Sequence, residues 1–130
     1  MGILKSVLGL VALLVGGAVH ASDPLAEQHG RLVVDIRTPA EWRQTGVIDG
    51  SLLLTFFDAR GRYDAAAFVA SLDDALADRE TRAITLICRS GSRTAVVKGY
   101  LQGLGYDVDH VPGGIMHALR AGVQTSPPHP

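Results

Sequence analysis

Apolar and polar positions along residues 31–121 fall into short blocks whose period switches between strand and helix. Arg31-Leu32-Val33-Val34-Asp35-Ile36 is a compact, β-branched run, the pattern of a strand buried on both faces in a parallel sheet. Thr38-Pro39-Ala40-Glu41 follows with three helix-start signals: a Thr N-cap, Pro at the first helical position and Glu at the third. This helix is short, ends at Gly46, and carries Trp42 as a core anchor. Ser51–Thr55 fits a second strand. Asp64 caps a helix from Ala65 to about Ala77, where Phe68, Leu72 and Leu76 form one buried stripe. Asp73, Asp74 and Asp78 lie on its solvated side and end.

Ala83-Ile84-Thr85-Leu86-Ile87-Cys88 predicts the next strand. Val97, Tyr100, Leu101 and Leu104 beyond it mark an amphipathic helix that Gly105 stops. Gly99 and Gly103 within that helix each cost about 1 kcal/mol relative to Ala, which predicts close packing against the sheet. Tyr106–Val111 suits an edge strand, and Gly113-Gly114 leads into a last helix over Ile115–Ala121. Strands alternating with helices imply an α/β domain with a mainly parallel sheet and helices on both faces. Ligands of such sheets bind at the carboxyl ends of strands, and Cys88 is at one.

The first 21 residues break this pattern. Lys5 precedes an apolar run to Ala18, and Val19-His20-Ala21 supplies the small residues of a signal-peptidase site, so cleavage is expected before Ser22. The alternative is an uncleaved membrane anchor, although the run is shorter than the roughly 18 residues a spanning helix needs. The Met1–Ser6 match to a myristoylation pattern is accidental in front of so apolar a segment. The expected division is thus a leader over 1–21, one domain over 22–125 and a disordered tail over 126–130. An exported protein, periplasmic or secreted, with no stable membrane association after cleavage follows from that division.

Composition narrows the options further. With 130 residues, 47% apolar and 19% charged, the chain is long enough for one domain with a core. A formal charge of −1 offers no basic field for nucleic acid or membrane. Cys88 is the only cysteine, so in an oxidising compartment it is a buried inert thiol, one half of an intermolecular bridge, or a nucleophile. Its context favours the nucleophile. Arg89-Ser90-Gly91-Ser92-Arg93 places backbone N–H groups, a helix start and two guanidinium groups around the sulfur, an arrangement that cradles an anion and favours a thiolate.

These residues resemble the single-domain rhodaneses, the thiosulfate sulfurtransferase family. Val34–Trp42 is similar to the family's first signature and Gly46–Ser51 to its continuation. Cys88–Arg93 is similar to its active-site loop and Pro112-Gly113-Gly114-Ile115 to its C-terminal signature. The chain departs from the pattern at Val47 (commonly His), Asp49 (Pro), Ser51 (Ala) and Ala118 (Trp), the last leaving packing to Met116, His117 and Leu119. Related phosphatases and arsenate reductases carry Arg six positions after the cysteine, where this chain has Thr94.

The resemblance implies a rhodanese-like fold and a two-step transfer. Cys88 takes the outer sulfur from a donor such as thiosulfate and releases it from a persulfide to a thiophilic acceptor, cyanide or a thiol. Cys88 is the catalytic residue, and Arg89, Ser90, Gly91, Ser92 and Arg93 bind substrate. The resemblance places Asp35 and Arg37 near the loop in a supporting role: Asp35 either holds an arginine or the loop backbone, or caps its strand, and Arg37 either stands behind the loop without acting in catalysis or pairs on the surface. Glu41 is accounted for by its cap. No cofactor and no metal are implied, and His29, His110, His117 and His129 are read as non-ligands. The partners are a small sulfur-containing anion and the acceptor, with oligomeric state left open. A non-catalytic sulfur-carrier or binding module is the alternative, with a thiol phosphatase or arsenate reductase behind it.

Overall fold

The computed structural model describes Leu25 and residues 30–129; the expected leader lies outside them. The elements run β1 (Leu32–Asp35), α1 (Pro39–Thr45), β2 (Leu52–Leu53), α2 (Ala65–Leu76), β3 (Ile84–Ile87), α3 (Ser92–Gly103), β4 (Val108–His110) and α4 (Gly114–Arg120). The strands form one parallel sheet in the order β2-β1-β3-β4. β1 and β3 pair along their whole length, from Leu32 opposite Ile84 to Asp35 opposite Ile87.

The chain steps from β1 to β2 on one side, then returns past β1 to begin β3 on the other. Because parallel crossovers are right-handed, this reversal sends α1 to one face and α2 and α3 to the opposite face. It also opens a crevice between the carboxyl ends of β1 and β3. Cys88 leaves the sheet at that crevice, one residue beyond β3.

Strand alternation divides the interior into two cores. Leu32, Val34 and Ile36 share one with Ile84, Leu86, Cys88, the α2 stripe Phe68, Leu72 and Leu76, and Val97 and Leu101 of α3. On the other face Ile87 meets Ile48, Val111 and Ile115, with Val33, Met116 and Leu119 packed around them. Each fully buried Leu or Ile contributes roughly 1.5–3 kcal/mol, so the larger cluster carries most of the hydrophobic stabilisation.

Several expectations are corrected. The buried stripe of α3 is Thr94, Val97 and Leu101, whereas Tyr100 and Leu104 are 42% and 52% exposed. Thr94 reads as polar in sequence, yet its hydroxyl is satisfied by the Gly91 carbonyl and His110 and so tolerates burial. Gly99 and Gly103 do not pack against the sheet, since a Cβ on either would meet nothing within 4 Å. Trp42 is only half-buried in a helix that buries no residue. Ala118 is itself buried, and Met116 and Leu119 pack against the cluster of Ile48, Ile87, Val111 and Ile115, but His117 is exposed.

The chain after residue 125 was expected to be disordered from its Ser/Pro composition. Ser126 instead exchanges two backbone hydrogen bonds with Val47, at 2.7 and 2.8 Å. The backbone groups of Val47 emerge just past the end of α1 and need partners of this kind once buried.

Candidate active site

The six-residue loop Cys88–Arg93 connects β3 to the first turn of α3. Gly91 is the N-cap of α3 and has φ +100°, a conformation in which a side chain is strained. That geometry turns its N–H back onto Cys88 Sγ, 3.1 Å away. The sulfur is also 3.6 Å from the Thr94 hydroxyl. Cys88 exposes no surface to solvent, while Arg89, Ser90 and Ser92 beside it are exposed.

The loop is braced from below by α4. Ile115 N–H donates to the Cys88 carbonyl at 2.8 Å and Met116 N–H to the Arg89 carbonyl at 3.2 Å. Gly114, at φ +63°, makes this approach possible, because a Cβ there would run into both carbonyls. The Gly113-Gly114 pair thus fits the last helix under the loop, a packing role that the sequence pattern alone did not show.

The two loop arginines differ. Arg89 is exposed, whereas Arg93 is held by a bidentate pair to Glu41, Nη1 to Oε1 and Nη2 to Oε2, both at 2.8 Å. The Arg93 hydrogen bonds are the main reason that the Glu41 carboxyl is held at about 2; burial opposes them and the Thr38 backbone N–H assists. The Arg93 guanidinium is raised in turn, chiefly by Glu41, with Cys88 and Asp35 adding smaller electrostatic contributions. Glu41 was accounted for by its capping box, which does form with Thr38. Its carboxylate has acceptor capacity for both roles, and it therefore ties α1 to the end of the cysteine loop. A partner 52 positions away leaves no local signal in sequence.

Asp35 and Arg37 lie apart from the loop's own cations. Arg37 is fully buried, which excludes pairing on the surface, and its Nε and Nη2 reach the Asp35 carboxylate at 2.9 and 2.8 Å. The remaining guanidinium contacts go to the Thr45 hydroxyl at 2.7 Å, the Gly46 carbonyl at 3.0 Å and the Glu41 carbonyl at 3.4 Å. Asp35 therefore holds an arginine, but that arginine secures the end of α1 and does not touch the cysteine. Among the described residues no group of His, Cys, Asp and Glu side chains is placed to hold a metal ion.

Two residues at the site were not singled out for it in the sequence. Thr94 lies on the inner face of α3 against the sulfur, and its hydroxyl is 2.8 Å from His110 Nδ1 on β4. The absence of Arg at position 94 served only to set the loop length.

These features define a small α/β domain with a buried cysteine under a Gly/Ser/Arg loop at a sheet switch point. The rhodanese-like domain model matches residues 18–119, and the chain belongs to that family. Its fold is similar to that of a rhodanese-like domain protein from Staphylococcus aureus: TM-score 0.53, 23% identity, 82% of this chain and 91% of the other covered. It is also similar to a rhodanese-related protein from Thermoplasma volcanium, at TM-score 0.51 and 23% identity over 73% of this chain and 82% of that one. A protein of unknown function from Rhodopseudomonas palustris, described as a possible tyrosine phosphatase, matches at TM-score 0.55 and 25% identity, covering 76% and 73%. No curated protein matches the sequence.

Proposed function

We propose that this protein is a thiosulfate sulfurtransferase working through a persulfide on Cys88. The observation that carries the reading is the Cys88 sulfur itself: a lone thiol held under a Gly/Ser/Arg loop, accepting the Gly91 N–H at 3.1 Å. In the first step the Cys88 thiolate attacks the outer sulfur of thiosulfate. A sulfur–sulfur bond to Cys88 forms as the donor's own sulfur–sulfur bond breaks, and sulfite leaves with the electron pair. Arg89, exposed at the loop, meets the anionic donor, while the positive field of Arg93 is partly offset by Glu41. In the second step cyanide or a thiol attacks the outer sulfur, and Cys88 returns as thiolate. Since Cys88 has no exposed surface, the loop side chains must part for either partner to reach it. The chemistry as written uses no metal and no organic cofactor, and a single cysteine requires that the acceptor be another molecule.

The phosphatase reading is disfavoured by Thr94. The position where such loops carry their arginine holds a buried hydroxyl directed at the sulfur, and so offers no cation to a phosphoryl group. Export belongs to the same proposal and rests on the leader pattern of residues 1–21. No helix among the described residues is long and apolar enough to cross a membrane. The activity is tested by mixing the protein with thiosulfate and cyanide and following thiocyanate. Continuous production, abolished in Cys88→Ser, is expected; a folded protein that makes none is a carrier or binding module instead. Export is tested by the N-terminus of protein recovered outside the cytoplasm, which is expected to be Ser22.

A further inference from the structure

We propose that His110 accepts the proton of the Cys88 thiol through the hydroxyl of Thr94. This deepens the sulfurtransferase reading, on which its use in sulfur transfer rests, but the proton path exists without any donor. Three groups from three elements line up: Cys88 Sγ after β3, Thr94 Oγ1 on α3 at 3.6 Å, and His110 Nδ1 on β4 a further 2.8 Å on. The register explains the line. Leu86 pairs with His110, so Cys88 and His110 lie on the sheet face that α3 covers, with Thr94 between them. Cys88 and Thr94 are buried, whereas His110 is only half-buried and can exchange protons with solvent.

A nucleophilic thiol must first lose its proton, and a buried thiolate is costly unless something compensates its charge. Before transfer the S–H donates to the Thr94 oxygen, and the single Thr94 hydroxyl proton is given to Nδ1 of an imidazole protonated on Nε2, 2.8 Å away, in preference to the Gly91 carbonyl at 3.1 Å. In transfer the S–H bond breaks and leaves its electron pair on sulfur. Thr94 takes that proton and passes its own to Nδ1. The result is a thiolate and an imidazolium with the hydroxyl reversed between them, donating to sulfur and accepting from Nδ1–H. Net charge is unchanged. Asp109 on its own strand accepts the His110 backbone N–H at 2.8 Å, and Lys98 on α3 is 3.4 Å from that carboxylate. Arg93, also on α3, is engaged by Glu41. His110 acts through Thr94 and is a positioning residue, not one that touches the transferred sulfur.

The test is a pH titration of thiolate ultraviolet absorbance in the folded full-length protein without donor, with Cys88→Ser as the blank. One cysteine makes the signal unambiguous. His110→Asn keeps an oxygen able to accept the Thr94 hydroxyl but does not accept a proton near neutrality, and Thr94→Val breaks the line. Each is expected to raise the thiolate midpoint by about one pH unit, a tenfold change. Thr94→Ser is expected to restore the native midpoint, and the double variant to shift no further than either single one. Because Thr94→Val can loosen the loop, His110→Asn is the deciding variant. A native midpoint in His110→Asn, or shifts that add in the double variant, would overturn the proposal. The readout needs no sulfur transfer, so an inactive protein with the expected shifts would sink the sulfurtransferase reading and leave the proton path standing.

Discussion

Two arginine–carboxylate pairs flank the end of β1, and they do different work. Asp35 and Arg37 are two residues apart, fully buried, and joined by short bonds that also secure the end of α1. Glu41 and Arg93 are 52 residues apart, their side chains 20% and 27% exposed, and they join α1 to the cysteine loop. A charge with no access to water must be paired to be tolerated at all, whereas a half-wet pair gains little net energy and mainly fixes geometry. The first pair is thus a condition of the fold, and the second sets where the loop's cation stands.

The largest effect expected from this contrast is on the buried pair. Arg37→Ala leaves the Asp35 carboxylate without its partner and should cost about 3–5 kcal/mol in denaturant unfolding. Replacing both, Asp35→Ala with Arg37→Met, should cost less than Arg37→Ala alone; an equal or greater loss would mean that the contacts to Thr45 and Gly46 matter more than the charge. At the other pair, Glu41→Gln should cost only about 1 kcal/mol. It should nevertheless change the KM for thiosulfate severalfold, because Arg93 is then free to move. A stability loss as large as that of Arg37→Ala would erase the distinction between the pairs.

Acid titration sharpens the same point. Glu41 is held at about 2 against an ordinary value of 4.5, so folding favours its charged form. Its contribution to stability is complete above pH 4.5, falls as the pH drops, and is gone below about pH 2. Glu41→Gln should therefore flatten part of the stability loss across that window; an unchanged acid curve would count against the pair. The smallest effect on the fold is expected at Arg89. Arg89→Ala should leave stability within about 0.5 kcal/mol, yet weaken use of anionic thiosulfate more than use of a neutral persulfide. Equal losses with both donors would remove Arg89 from anion recognition.

Most of the architecture was legible because periodicity and caps are local. The Thr38–Glu41 capping box, the Phe68–Leu72–Leu76 stripe and the buried run ending at Cys88 each follow from neighbours in the chain. The misreadings came from tertiary partners. Thr94 took an inner position of α3 that hydrophobicity assigned elsewhere, because Gly91 and His110 satisfy its hydroxyl. A surface position for Arg37 stayed open because an arginine is buried only when a partner such as Asp35 meets it. Glu41 had a sufficient local explanation, and that concealed its second bond to Arg93. At the candidate site, Cys88 and its loop could be named from sequence, but the contacts around them come from α1, α3, α4 and β4.

The most direct test of the central claim is the intact mass of the protein after incubation with thiosulfate and removal of excess donor. A gain of one sulfur atom is expected, reversed by cyanide and absent in Cys88→Ser. An unchanged mass in folded protein, or a gain that survives in Cys88→Ser, would contradict it.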